Sequence, residues 1–329
     1  MKPALSVIFL TTLIGVGQGL FLALYTQQSY ALFGLLPLEN DVFYGYGSLL
    51  ALVFLAAGLA ASFFHLGHPE RAWRTATQWR TSWLSREVIV LPMFMGMVFV
   101  YGMTNLLPFR PVLVILRSGV PIDLGNVSGG IATVLAFMLF VCTGMIYACL
   151  RFLREWHTPL TVINFILLGS ASGFTLAAFF AAFFATFSTP SQSGFFAGWA
   201  FIITLLGLIG RSTSLWRNAR LRPASTLQTA IGIKHSRIVQ KSQGAMGGSF
   251  NTREFFHGKS PAFLRAIKPA FLILTFGLPL LLLFISLSYP YAWLLGLTFI
   301  VQYAGLMAER WFFFAEANHP QNLYYQTIG

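Results

Sequence analysis

Residues 159–187 read PLTVINFILLGSASGFTLAAFFAAFFATF, and no ionisable side chain interrupts them. A helix rises about 1.5 Å per residue, so this run outreaches the roughly 30 Å hydrocarbon core of a bilayer. It must be a helix, because lipid cannot satisfy the open edge of a sheet. Seven further stretches qualify on the same grounds, at 5–34, 43–64, 87–107, 129–150, 195–210, 269–288 and 290–313, with the sixth span short and Tyr289-Pro290 barely separating the last two. The fold class is therefore an all-α polytopic membrane protein with eight transmembrane helices. It forms one membrane domain over 1–329, expected to pack as two four-helix bundles with both termini cytoplasmic. Composition agrees: 56% of residues are hydrophobic, 9% are charged and the mean hydropathy is +0.71. A soluble domain carries about 25% charged residues.

The formal charge of +12 is a topology signal. Lys2, Arg71, Arg74, Arg80, Arg86, Arg151, Arg154, Arg310 and the eleven basic residues from Arg211 to Lys268 fall on one side of the eight runs, and Arg110 and Arg117 fall on the other. Basic loops face the cytoplasm, which predicts a multi-pass protein of a bacterial cytoplasmic membrane. Anionic lipid accounts for the basic loops, so no nucleic-acid partner is required. The N-terminal run is too long for a signal peptide and reads as a retained first span. The stretch 211–268 holds one acid, Glu254, and too little apolar content for its own core. Arg253, Phe255 and Phe256 within it have the character of anchors for a docked partner, as do Arg74 and Arg86 in the loop after the second span.

The ionisable chemistry gathers on that basic face. All six histidines (His65, His68, His157, His235, His257 and His319) lie in its loops or helix ends. A haem between helices needs axial histidines at depth, so none is expected. Cys142 and Cys149 are packing residues, with no iron–sulfur or metal site in the chain. No charge occupies a mid-span position, which argues against an ion-coupled transporter.

The densest polar cluster is His65-Leu-Gly-His68-Pro-Glu70-Arg71-Ala-Trp73-Arg74, continuing through Trp79 to Thr81-Ser-Trp83-Leu-Ser85-Arg86-Glu87. An interfacial aromatic belt is one reading. The other is a site for a polar head group with an apolar tail. Its hydrogen-bond donors, proton-exchanging groups and aromatic walls suit a quinone. Tyr147 and His157, beside Thr158-Pro159 at the start of the fifth span, face the same side and join the candidate set by position. Gly15-Val-Gly17-Gln18-Gly19 resembles a dinucleotide fingerprint, but it lies inside a span and reads as a helix-packing surface.

These residues resemble the dimethyl sulfoxide reductase anchor subunit family. His65-Leu-Gly-His68-Pro-Glu70-Arg71-Ala-Trp73 with Leu84-Ser-Arg-Glu87 follows its H-L-G-x-P-x-R-A-[WF] … L-S-x-E pattern. Trp156–Pro159 and the Gly305…Glu309-Arg310…Phe313 ending are similar as well. The insertion at about 212–262 is most like the anchor of the cytoplasm-facing sulfite dehydrogenase branch. The resemblance implies a haem-free anchor that exchanges electrons with ubiquinone or menaquinone. It implies partners too: a four-cluster iron–sulfur subunit and a molybdopterin catalytic subunit, docked on the cytoplasmic side. His65 matches the quinone-linked histidine, with Arg71, Ser85 and Glu87 around it; His65 and Glu87 are the expected catalytic pair. An S- or N-oxide reductase anchor oxidising menaquinol, a small-solute transporter and a purely structural anchor are the competing readings.

Overall fold

The structure is a computed structural model that describes residues 4–107, 110–115, 121–186, 192–222, 226–235, 237–238 and 260–317. Among these, eight helices are long and apolar enough to cross a membrane. They are α1 (Leu5–Leu32), α2 (Asp41–Phe63), α3 (Trp83–Leu106), α4 (Leu124–Ala148), α5 (Pro159–Phe184), α6 (Ser193–Asn218), α8 (Pro261–Ser288) and α9 (Ala292–Glu316). A short α7 (Leu227–Ile231) lies between α6 and α8, which contains a π-helical turn at Ile273–Gly277. The α3–α4 connection carries an antiparallel pair that no sequence pattern announces, β1 (Val112–Ile115) with β2 (Pro121–Asp123).

Several helices start at side-chain caps. Asn40, Ser82, Asp123, Thr158 and Ser260 each accept a backbone N–H from the first turn, satisfying donors that would otherwise be orphaned. Pro159 and Pro261 occupy first-turn positions, where a missing N–H costs nothing.

Neighbouring spans pack in chain order from α1 to α4, and α4 returns to α1. Helices α5, α6, α8 and α9 pack in the same order, and α9 returns to α5. The two groups meet chiefly where α1 crosses α5. These two helices are 72% and 78% buried in their apolar windows, against half or less for the other six. Lipid gives helices no hydrophobic reason to associate, so close backbone approach must supply the contact. Glycine permits it here. A Cβ on Gly15 would lie 3.3 Å from the Gly169 Cα, and a Cβ on Gly173 would overlap the Gly19–Leu20 backbone. The glycine run of α1 is thus a packing surface.

Two helices outrun their apolar stretches. Helix α6 continues past 210 to Asn218, and α9 past 313 to Glu316. Arg211, expected in a loop, is therefore an interior helical residue, and Glu309 and Arg310 lie well inside α9. All three are buried, at 2%, 1% and 3% exposure. Hydropathy ends the sixth span at Arg211, whereas ion pairing between α6 and α9 lets α6 continue.

On the face opposite the α2–α3 loop, Tyr101 donates to Gln28 at 2.6 Å and Gln28 to Asn105 at 3.3 Å. Arg110 donates to Asn105 at 2.8 Å and pairs with Asp41 at 2.7 Å, so this basic residue is committed to structure. Nearby, Tyr44 donates to Gln27. Glu39, in the α1–α2 loop, accepts the Gln192 N–H at 2.7 Å, and burial raises its carboxyl above the usual range.

Replacing Gly173 with valine should destabilise the protein by about 3 kcal/mol, through forced separation of α1 from α5. Gly198→Ala, where a Cβ meets nothing within 4 Å, should instead stabilise by about 0.5–1 kcal/mol. Reversible unfolding in detergent measures both.

Candidate functional site

The α2–α3 loop begins where α2 ends at Phe63 and runs through a 3-10 segment, Pro69–Gln78, in which no residue is buried. Phe64 is 86% exposed and Trp73 67%, unusual for large apolar side chains outside lipid. Arginines stack on the loop's tryptophans: Arg74 on Trp73 at 5.5 Å, Arg80 on Trp79 at 5.4 Å and Arg86 on Trp83 at 4.2 Å. Arg86 also donates to the carbonyls of Trp79 (2.9 Å) and Arg80 (2.8 Å), fastening the loop to the first turn of α3. His65 is exposed at the head of this segment, and partial desolvation lowers its imidazole pKa below the ordinary value. A neutral ring can both accept and donate a proton at physiological pH. Arg71 pairs with Glu70 at 3.6 Å and His68 with the same carboxylate at 3.0 Å; both pairs are exposed and contribute little to stability.

Glu87 lies on the second turn of α3, 8% exposed, and accepts a hydrogen bond from the Thr143 hydroxyl of α4. Ser85 is buried on the first turn, its N–H donating to the Ser82 cap at 3.3 Å. Successive helical residues point about 100° apart, so this seam has two faces. Arg86 and Cys142 turn outward to a groove of about 770 Å³ between α3 and α4, walled by apolar residues such as Met93 and Phe137 and topped by Trp79 and Trp83. Glu87 and Thr143, their chain neighbours, turn inward. They line a small cavity with Thr11, Thr12 and Gln18 of α1 and Arg310 of α9.

Tyr147 and His157 occupy the α4–α5 corner. The Tyr147 ring packs against Trp156, Phe165, Phe313 and Phe314 at centroid distances of 5.3–5.6 Å. The Trp156 indole donates to the Phe313 carbonyl at 2.9 Å, and the His157 Nδ1 is 2.6 Å from the Ala148 carbonyl. That contact ties the His157 ring to the end of α4. Of the expected site residues that the structure describes, Glu87 alone lines the inner cavity and Arg86 alone lines the groove. Arg253, Phe255 and Phe256, with His257 and His319, lie outside the described residues. Among the described residues, no three His, Cys, Asp or Glu side chains converge as a metal site would require.

A buried charge cluster lies beyond what the sequence reading anticipates. Arg211 Nε lies 2.7 Å from Glu309 Oε1, Arg310 Nε lies 3.1 Å from Glu309 Oε2, and Arg211 Nη2 reaches Glu316 at 3.4 Å. The Glu309 contacts are short but off the line of a good hydrogen bond, so charge is what holds them. Phe271 and Phe312 lie 5.7 and 5.9 Å from the Arg211 guanidinium, and Phe165 4.0 Å from that of Arg310. The adjacent acid and base at Glu309-Arg310, within an apolar run, are the signal available in the sequence.

The chain matches the model of the DMSO reductase anchor subunit (DmsC) family over residues 1–325. It is 55% identical, over 329 residues and 100% of both chains, to a sulfite dehydrogenase subunit of Allochromatium vinosum. The chain belongs to the DMSO reductase anchor subunit family.

Arg211→Met should destabilise by about 3–5 kcal/mol, because Glu309 loses its closest buried counter-charge. Adding Glu309→Leu should recover part of that loss. Additive penalties in a detergent unfolding cycle would contradict the coupling.

Proposed function

We propose that this member of the anchor family is the quinone-reactive subunit of a molybdopterin and iron–sulfur oxidoreductase, passing electrons from sulfite oxidation to the quinone pool. The observation that carries this reading is the two-faced α3–α4 seam. Its outer face is an apolar groove open to lipid and crowned by Trp79, Trp83 and Arg86; its inner face is the buried Glu87–Thr143 pair. An isoprenoid tail suits the apolar wall, and a ring carbonyl suits the donors of Arg86 and the tryptophans. Reducing a quinone takes two electrons and two protons, so the site needs a proton donor that can be refilled. Glu87 is the donor in this reading. His65, at the water-facing head of the loop, exchanges protons with bulk solvent. Arg71 and Ser85 support the loop and the first turn, and Tyr147 and His157 brace the adjacent α4–α5 corner without lining the groove or the inner cavity.

The relative belongs to a sulfite dehydrogenase, and this supports sulfite as the substrate of the catalytic partner here. The excess of basic residues in the loops on the His65 side supports a cytoplasmic position for that face. A four-cluster iron–sulfur subunit and a molybdopterin subunit dock there, over the exposed Phe64, Trp73 and Arg74; Arg253, Phe255 and Phe256, outside the described residues, are assigned the same role from sequence. Electrons and protons then enter on one side, and the anchor builds no charge gradient. The reverse reaction, quinol oxidation serving an S- or N-oxide reductase, would use the same seam; the 55% identity favours the sulfite direction.

In the assembled complex, Glu87→Gln or His65→Ala should lower sulfite-driven quinone reduction by about 100-fold, the scale of general acid–base catalysis. Sulfite oxidation with a soluble dye acceptor, and assembly, should stay at the wild-type level. Wild-type quinone rates in both variants would contradict the reading.

A further inference from the structure

The inner cavity has a volume of about 10 Å³. That is room for about one water molecule and far too little for a quinone ring. Its polar lining comes from three separate parts of the fold: Thr11, Thr12 and Gln18 on α1, Glu87 and Thr143 on the α3–α4 seam, and Arg310 on α9. A buried water needs two to four polar partners, and this wall offers them. Thr11 and Thr12 already donate to backbone carbonyls of their own helix, at 2.9 and 2.8 Å, so their oxygens are left as acceptors, that of Thr12 shared with the Tyr303 hydroxyl at 3.2 Å. Gln18 is fixed by its bond to the Ala136 carbonyl at 2.9 Å. Arg310 uses Nε on Glu309 and stacks on Phe165, which holds its guanidinium rigidly at the cavity wall.

The charged and titratable groups around this point are few. From α4 come Cys142, which turns to the groove, and Tyr147, which interacts electrostatically with both Glu87 and Arg310. From α9 come Arg310 and Glu309, with Arg211 of α6 behind Glu309, and Tyr303, whose hydroxyl lies 3.2 Å from that of Thr12. On α3 itself Arg86 faces outward. The cavity-lining residues of α1 and α5 include no titratable side chain.

We propose that the cavity is a one-water site linking Glu87 to Arg310, and that Arg310 is thereby a positioning residue for proton transfer at Glu87. This rests on the reading of Glu87 as proton donor. With electrons supplied by the partner subunits, the Glu87 carboxylic acid would break its O–H bond and release one of the two protons the quinone needs, across the α3–α4 seam to a ring oxygen on the groove side. The carboxylate left behind keeps the Thr143 hydrogen bond and gains, through the water, the field of the Arg310 cation. It would regain a proton from bulk water on the α2–α3 loop side and pass it to the second ring oxygen, and a further proton from the same side would reset the acid, so that each quinone receives two. Arg310 keeps its own proton throughout.

The test is the rate–pH profile of sulfite-driven reduction of a short-chain quinone by the intact complex, with Arg310→Gln, Arg310→Lys, Glu87→Gln and the Glu87→Gln/Arg310→Gln double variant. Without the cation, the ionised carboxylate is less favoured and the acid form persists to higher pH. The alkaline fall in rate should therefore move upward by about one pH unit in Arg310→Gln, toward the low end of what a nearby opposite charge produces. Arg310→Lys should restore most of it, and the double variant should show the Glu87→Gln profile unchanged. An equal slowing at every pH in Arg310→Gln, or the same displacement with Glu87 absent, would overturn the proposal. A Glu87→Gln complex with the wild-type rate and profile would instead overturn the reading beneath it. Should Arg310→Gln fail to assemble, Thr11→Ile fills the cavity without touching a charge. It should displace the profile in the same direction, and an unmoved profile would count against the water.

Discussion

The crossing of α1 over α5 is the contact on which the rest of the molecule depends. Gly15, Gly19, Gly169 and Gly173 bring two backbones together at a distance no side chain would allow. Lipid supplies no hydrophobic drive for this, so dispersion between close-packed backbones must hold it. Because the first four spans and the last four meet at this line, residues of α1, α3, α4 and α9 can surround one small polar cavity. Glu87 and Arg310 lie more than two hundred residues apart in the chain, and the glycine contact makes them neighbours.

The second constraint is the cost of charge in a low-dielectric interior. The described chain meets it in two ways. Arg211, Glu309, Arg310 and Glu316 neutralise one another across α6 and α9, with aromatic faces alongside the cations. Glu87 has instead a single hydroxyl donor and a water-sized space. A carboxylate left so lightly compensated can change protonation during a reaction, whereas one held between two guanidinium groups cannot easily do so. That contrast separates the structural acid, Glu309, from the one proposed to react, Glu87.

Much of this is legible in the sequence. The eight apolar runs, the Thr158-Pro159 helix start and the packing role of the Gly15–Gly19 run need only length, capping and steric arguments. Glu87 stands out because it ends a polar loop and enters a span. The end of α6 is not legible, since hydropathy reads Arg211 as an exit from the membrane and Glu309 and Arg310 as charges at the close of the last span. Only the contact between the two helices shows that these charges cancel. Nor can the chain order reveal that Arg86 and Glu87 serve different faces of one helix, or that Thr143 is the partner of Glu87. Those facts depend on how α3 is rotated against α4, and no local pattern encodes it. His65 and Arg71 carry the family resemblance, yet they stand on an exposed segment and line neither the groove nor the inner cavity.

A quinone seated in the α3–α4 groove, backed by Glu87, is the centre of the proposed chemistry. Photoaffinity labelling of the intact complex with an azidoquinone, followed by peptide mapping, tests this most directly. Label is expected on α3 and α4, at Trp83, Met93, Phe137, Met138 or Cys142, and should be lost when unmodified quinone competes. Competable label confined to α8 and α9, or to the face that carries Arg110, would contradict it.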